Sequence, residues 1–236
     1  MLVAKDITGL QVLAWRAHAG VEHFCPECGE PVYVRDPVDR VTHYCHYPSS
    51  SCSYGTGEGE RHWRIKAAVM DEAADFPDVA FEKEVVPGRR ADVVIPGPRV
   101  VVECQVSPMS SVEWMRRTHD YSVAGYSILW LWDARRIFAH RDPQELDFGV
   151  GVPREIVLCH RACYGQVSVY SPETGGWYSV HLTRETRDGN YVGRDRRRPV
   201  PRLLDDSKPM IKKSNLDGLR LVNLAPVWWK ERSLAA

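Results

Sequence analysis

The sequence has no excess of charge of either sign: Lys+Arg and Asp+Glu number 31 each in 236 residues. A protein-wide basic field is thereby excluded as a means of attracting nucleic acid, and any polyanion site must be a local patch. No apolar run approaches the roughly 20 residues that a membrane-spanning helix needs. The first twenty residues scatter Lys5, Asp6, Arg16 and His18 and lack the charged-then-apolar order of a signal peptide, so the expected location is the cytoplasm, without membrane contact. There is no internal repeat and no low-complexity tract. What is present is a 44% hydrophobic chain, enough for one substantial core and a small module beside it. Seven cysteines in a reducing compartment predict metal ligands or free thiols before disulfides.

Cysteine usage divides the chain. Four of the seven lie between Cys25 and Cys52, and the stretch from Ser49 to Gly59 is small, polar and turn-like. The reading is a metal module over 1–56, an α/β domain over 57–150, and a C-terminal extension over 151–236 of short strands and a basic run. The second unit opens with a helix from about Glu60 to Asp75, ended by Pro77. Val79–Val86 alternates Val79, Phe81 and Val85 with Glu82 and Glu84, as a half-buried strand does. Strands follow at Arg90–Ile95 and Val100–Val106. Ser110 with Glu113 forms a capping-box start, Gly125 a stop, and Tyr126–Trp132 a buried strand. The order helix, three strands, helix, strand predicts an α/β core whose second helix crosses over to a parallel strand. Ile156–Cys159, Gln166–Tyr170 and Trp177–Leu182 read as further short strands.

Cys25-Pro26-Glu27-Cys28-Gly29 has the spacing with which two thiolates on a tight turn grip one tetrahedral Zn²⁺. His46 and Cys52 are expected to complete the set, with His43 the alternative histidine. Such a closed site is structural. Cys159-His160-x-x-Cys163 has half the makings of a second metal site, but two free thiols are the expected state.

Glu58, His62 and Lys66 recur every four residues, in the same helical sector as Ile65, Val69 and Ala73. A solvated face would not put ionisable groups among core positions, where an unpaired charge is costly. The hairpin adds to this. With Pro96-Gly97-Pro98-Arg99 as a four-residue loop, Ile95 faces Val100, and Asp92 then falls across from Glu103, with Gln105 two residues along. Two facing carboxylates in an apolar hairpin repel unless a cation lies between them, and oxygen ligands of this hardness suit Mg²⁺ or Mn²⁺.

These pieces together resemble the competence protein CoiA-like family of the PD-(D/E)xK nuclease superfamily. The resemblance is carried by Leu2-Val3-Ala4, the Phe24–Gly29 knuckle, His43-Tyr44-Cys45-His46, and Glu58-Gly59-Glu60-Arg61-His62 with Lys66. It continues through Arg89–Val93, Glu103–Ser107, Arg116, Tyr121 and Trp130-Leu131-Trp132. It implies a restriction-endonuclease-like α-β-β-β-α-β core, DNA as substrate, and a role in processing incoming DNA. It further implies that Asp92, Glu103 and the Cys104 carbonyl hold the catalytic divalent ion, with Glu58 and His62 in support. The superfamily's lysine is replaced by Gln105, so Lys66 is expected to supply the positive charge. The competing expectation is a non-catalytic, zinc-containing DNA-binding protein. It would use the zinc knuckle and the patch Arg194–Arg202, with Arg194, Arg196, Arg197 and Arg198 as phosphate contacts, at the end of a run Arg184–Arg202 that holds seven arginines against three acids.

Overall fold

The computed structural model describes residues 1–138, 150–163, 165–184 and 196–203. The N-terminal part is a small antiparallel sheet of β1 (Val3–Lys5), β2 (Gln11–Leu13), β3 (His23–Phe24), β4 (Pro31–Arg35) and β5 (His43–His46), in the order β2-β1-β3-β4-β5. The chain then forms α1 (Glu60–Ala73), β6 (Ala80–Val86), β7 (Arg89–Ile95), β8 (Val100–Gln105), α2 (Ser111–Val123) and β9 (Ser127–Asp133). After α3 (Arg135–Phe138) come β10 (Val150–Gly151), α4 (Arg154–Ala162), β11 (Val167–Ser171), β12 (Gly176–Arg184) and β13 (Arg196–Leu203). The second sheet is eight-stranded, in the order β10-β13-β12-β11-β9-β8-β7-β6. The molecule is thus mixed α/β with two sheets, and the position 150 lies within the span of the larger one.

The central hairpin follows from its sequence. Ile95 pairs with Val100, Val94 with Val101 and Val93 with Val102, around a loop in which Arg99 takes a left-handed φ of 53°. The crossover through α2 brings β9 parallel to β8, and β11 adds parallel to β9. A stretch buried on both faces needs an unbroken apolar run, and Val93–Ile95, Val100–Val102 and Ile128–Trp132 supply one in each of β7, β8 and β9. Val94, Val101, Trp130 and Trp132 face a core shared with Trp114 and Tyr121 of α2 and Ile156 and Cys159 of α4. Val93, Val102, Leu129 and Leu131 face the opposite core, shared with Ile65, Val69 and Met70 of α1 and with Leu2 and Leu13 of the small sheet. α2 starts where Ser110 Oγ accepts the Glu113 N–H at 3.0 Å.

The segment Ile156–Cys159, expected as a strand, lies inside helix α4. Four apolar residues carry no period of their own, and Ile156, Cys159, His160 and Cys163 are buried at helical spacing once Pro153 opens the turn. Cys159 and Cys163 are core thiols 3.8 Å apart, and His160 Nε2 accepts the Leu182 N–H at 3.1 Å. Arg196, Arg197 and Arg198 stand on β13 between β12 and β10. Arg194 and the Trp228-Trp229 pair lie outside the described residues.

A side-chain amide also ties the two sheets. Gln11 Nε2 donates to the Phe81 carbonyl and Gln11 Oε1 accepts the Phe81 N–H, both at 2.8 Å, so the amide pairs with the edge strand β6 as a backbone would. Removing it strands two backbone groups of a buried residue. Gln11→Ala is expected to cost about 1–3 kcal/mol, read as a lower urea midpoint at unchanged m; an unchanged midpoint would show that water replaces the amide without loss.

Candidate active site

A cavity of about 600 Å³ opens between the N-terminal part, α1, α2 and the ends of β7 and β8. Five carboxylates line it (Glu27, Glu58, Glu82, Asp92 and Glu103) against three permanent cations, Lys66, Arg90 and Arg117.

At its centre is Lys66, on α1, with its side chain only 2% exposed. Its Nζ lies 2.9 and 3.0 Å from the two Glu58 oxygens, 2.5 Å from Glu82 Oε1 and 3.4 Å from Asp92 Oδ1. Burial alone would lower the ammonium pKa, but Asp92, Glu82 and Glu58 outweigh it and hold the group well above an ordinary lysine. Helix α1 has its N-cap at Gly59, so Glu58 precedes the helix instead of standing on its wheel as the spacing predicts. It still reaches Lys66, sits 3.7 Å from His62 Nδ1 and accepts from Trp63 Nε1 at 3.0 Å. His62 Nε2 is buried and has no hydrogen-bond partner among the described residues.

Glu82 was expected on the solvent face of its strand. Instead it is buried, its backbone in the left-handed region at φ 48°, with its carboxylate bonded to Lys66 and to the Tyr54 hydroxyl. A period-two alternation carries no signal for such a kink, and only the cost of leaving Lys66 short of partners could have hinted at it. Burial would raise its pKa, yet Lys66 brings it below the ordinary glutamate value.

The ladder between β7 and β8 is paired as far as Val93 and Val102, one step short of Asp92 and Glu103. Asp92 Oδ2 there accepts the Cys104 N–H at 2.7 Å. The two carboxylates are not left facing each other bare. Asp92 turns to Lys66, whereas Glu103 Oε1 accepts from the Tyr121 hydroxyl at 2.6 Å and Glu103 Oε2 from Arg117 Nη1 at 3.2 Å. Burial, then the Asp92 charge, push the Glu103 pKa up to about 7 against the pull of Tyr121 and Arg117. Arg116, singled out in the sequence, points away with 65% of its side chain exposed; its neighbour Arg117 is the one in the cavity. Gln105 lines the cavity, but its Nε2 donates to the Ser107 carbonyl at 2.6 Å.

Among the described residues, two groups of donor atoms stand close enough to share an ion. One atom from each of Glu58, His62 and Asp92 lies within 4.8 Å of the others, and so do Cys25, Cys28, His46 and Cys52. Cys28 Sγ is 3.4 Å from His46 Nε2. His43, the alternative ligand, is turned inward, with Nδ1 2.8 Å from the Val41 carbonyl and its ring against Trp63. The cysteine cluster touches the cavity through two of its own loops. Glu27, between Cys25 and Cys28, pairs with Arg90 at 2.7 Å, and Arg90 lies over the ring of Tyr54, two residues past Cys52.

Residues 8–55 match the family model of the competence protein CoiA N-terminal domain, and residues 58–147 that of the competence protein CoiA nuclease-like domain. No curated protein and no solved structure matches the chain. Among the described residues no helix is long and apolar enough to cross a membrane.

Lys66→Met should cost about 3–5 kcal/mol, because it leaves Glu82 buried without its cation. The loss should depend on pH. In the parent, Glu82 sits below its ordinary pKa and stabilises the fold above the carboxylate range. In the variant burial prevails, its folded pKa rises above the unfolded one, and stability falls as pH rises. The gap between the urea midpoints of parent and variant should therefore be wider at pH 8 than at pH 4; an equal gap would mean that Glu82 finds another cation.

Proposed function

The chain belongs to the competence protein CoiA family, and from that premise we propose that it is a metal-dependent nuclease hydrolysing DNA phosphodiester bonds, in processing linked to uptake or recombination. A nuclease-like domain is the coarse finding; catalysis and the choice of DNA are our reading. The observation that supports it most is the convergence of Glu58, His62 and Asp92, with Glu103 in the same cavity. The residues fit a divalent cation. The cavity holds more carboxylates than cations, and the buried, unpartnered His62 Nε2 is a donor atom awaiting an acceptor of its lone pair or a proton partner. Oxygen-rich ligation with one imidazole suits Mg²⁺ or Mn²⁺. We assign Cys25, Cys28, His46 and Cys52 to a structural Zn²⁺, since four N/S donors close a tetrahedral site and leave no position for substrate. On this reading 1–56 is a zinc module, 57–150 a restriction-endonuclease-like catalytic domain and 151–236 an extension that completes its sheet.

Asp92, Glu103, Glu58 and the Cys104 backbone would hold the catalytic ion, which supplies Lewis-acid polarisation of the phosphate and a more acidic attacking water. The chain's own groups do the positioning. The Cys104 N–H fixes the Asp92 carboxylate, and Tyr121 fixes Glu103. Lys66 holds Glu58, Glu82 and Asp92 in one cluster that would otherwise fly apart. Glu103, with its pKa near 7, gives up its proton as a ligand only as pH rises, so divalent-ion binding should tighten between about pH 6 and 8.

The test is incubation of the purified chain with linear and circular DNA, with and without Mg²⁺ or Mn²⁺. The parent is expected to cleave only with the ion. Asp92→Asn and Glu103→Gln should each abolish cleavage and retain DNA binding in Ca²⁺. Cleavage surviving in Asp92→Asn would misplace the site, and DNA binding without cleavage under any condition would favour the non-catalytic reading.

A further inference from the structure

A site that hydrolyses a phosphodiester needs a cation for the phosphate, and three candidate residues do not supply one. Gln105 is neutral and bonded to the Ser107 carbonyl just past its strand. Lys66 is buried, its charge shared by three carboxylates. Arg90 is occupied at the rim by Glu27 and by the Tyr54 ring.

Arg117 differs from these. It reaches the cavity from α2 with 32% of its side chain exposed. Its Nε is tethered to Glu113 Oε1 at 3.1 Å, and Glu113 is itself braced by Arg89 at 2.7 Å, which also holds Asp120 at 2.8 Å. The far end of the guanidinium touches only Glu103, at 3.2 Å, and Nη2 has no partner among the described residues. One end is anchored and the other rests on a carboxylate that the proposed divalent ion would claim.

We propose that Arg117 is the phosphate-binding residue of this site, kept on Glu103 while the cavity lacks a divalent ion and released to the substrate when Glu103 becomes a ligand. The assignment rests on the nuclease reading. An ion bound to Glu103 Oε2 replaces the guanidinium as that oxygen's cationic partner and repels it. Nη1 and Nη2 then present a planar fork of donors to the cavity, the geometry that fits two phosphate oxygens. Glu113 keeps the fork from swinging out to solvent, and Tyr121 keeps Glu103 aligned after Arg117 leaves. Arg117 and the ion therefore compete for Glu103 but cooperate on the substrate.

That pairing of signs gives the test. Mn²⁺ binding is measured by calorimetry without DNA, and binding of a labelled DNA duplex in Ca²⁺ is followed as a function of salt, for the full chain and for Arg117→Gln and Arg117→Lys. In Arg117→Gln, Mn²⁺ should bind more tightly than in the parent because a competing cation is gone. In the same variant the salt slope of DNA binding should fall by about one, and cleavage in Mg²⁺ by about 100-fold or more. Arg117→Lys should recover part of the cleavage. Weaker Mn²⁺ binding in Arg117→Gln would overturn the proposal, leaving Arg117 only a brace for Glu103, and so would unchanged DNA binding and cleavage. A parent that neither binds Mn²⁺ nor cleaves DNA sinks the nuclease reading and this proposal with it, whereas an active parent with indifferent Arg117 variants sinks this proposal alone.

Discussion

The arrangement of the cavity depends on one buried ammonium. Lys66 draws together a residue before α1 (Glu58), a residue of the edge strand β6 (Glu82) and one in the middle of β7 (Asp92). The three elements follow one another in the chain, and the turns between them fold the carboxylates back onto one ammonium. Without the cation, three carboxylates at this separation would repel one another; with it, they are held together on one wall of the cavity. The left-handed backbone at Glu82 fits this view. A backbone conformation that costs on the order of 1–3 kcal/mol persists only when its surroundings hold it, and here Lys66 and Tyr54 do so from two sides.

The same cluster links the two parts of the chain. Tyr54 and Glu27 both come from loops carrying the clustered cysteines, and both end at the wall of the acidic cavity, one on Glu82 and the other on Arg90. If zinc fixes those loops, it also fixes two contacts of the acidic cluster. The N-terminal module then acts as part of the cavity wall, whatever else it binds.

Much of this was legible in the sequence, for identifiable reasons. The valine-rich hairpin has one loop that fits Pro96–Arg99, and the loop sets the register that carries Asp92 and Glu103 to the same end of the sheet. The spacing of Cys25 and Cys28 pointed to a metal-binding pair, and of the two histidines the sequence offered beside Cys52 the fold brings His46, not His43, within 4.8 Å of the cysteines. What was not legible depended on tertiary context. Glu82 occupies an outward position in the strand pattern and turns inward through a kink that alternation does not encode. Arg116 and Arg117 are neighbours of one residue type, and only the rotation of α2 against β8 decides which one enters the cavity. Ile156–Cys159 is too short to show a period, and Pro153 was the only local sign of a helix start. The arginines Arg196–Arg198 show no strand alternation and were expected only as phosphate contacts, yet their backbone forms part of β13, which pairs with β12 and β10.

The proposed divalent ion among Glu58, His62, Asp92 and Glu103 and the proposed zinc on the cysteines are both tested by anomalous scattering. Crystals of the zinc-loaded chain soaked in Mn²⁺ should show a zinc peak between Cys25, Cys28, His46 and Cys52. They should show a separate manganese peak in the acidic cavity, in contact with Asp92 and Glu103. Manganese found only on outer carboxylates, with Lys66 alone filling the centre of the cluster, would contradict the account.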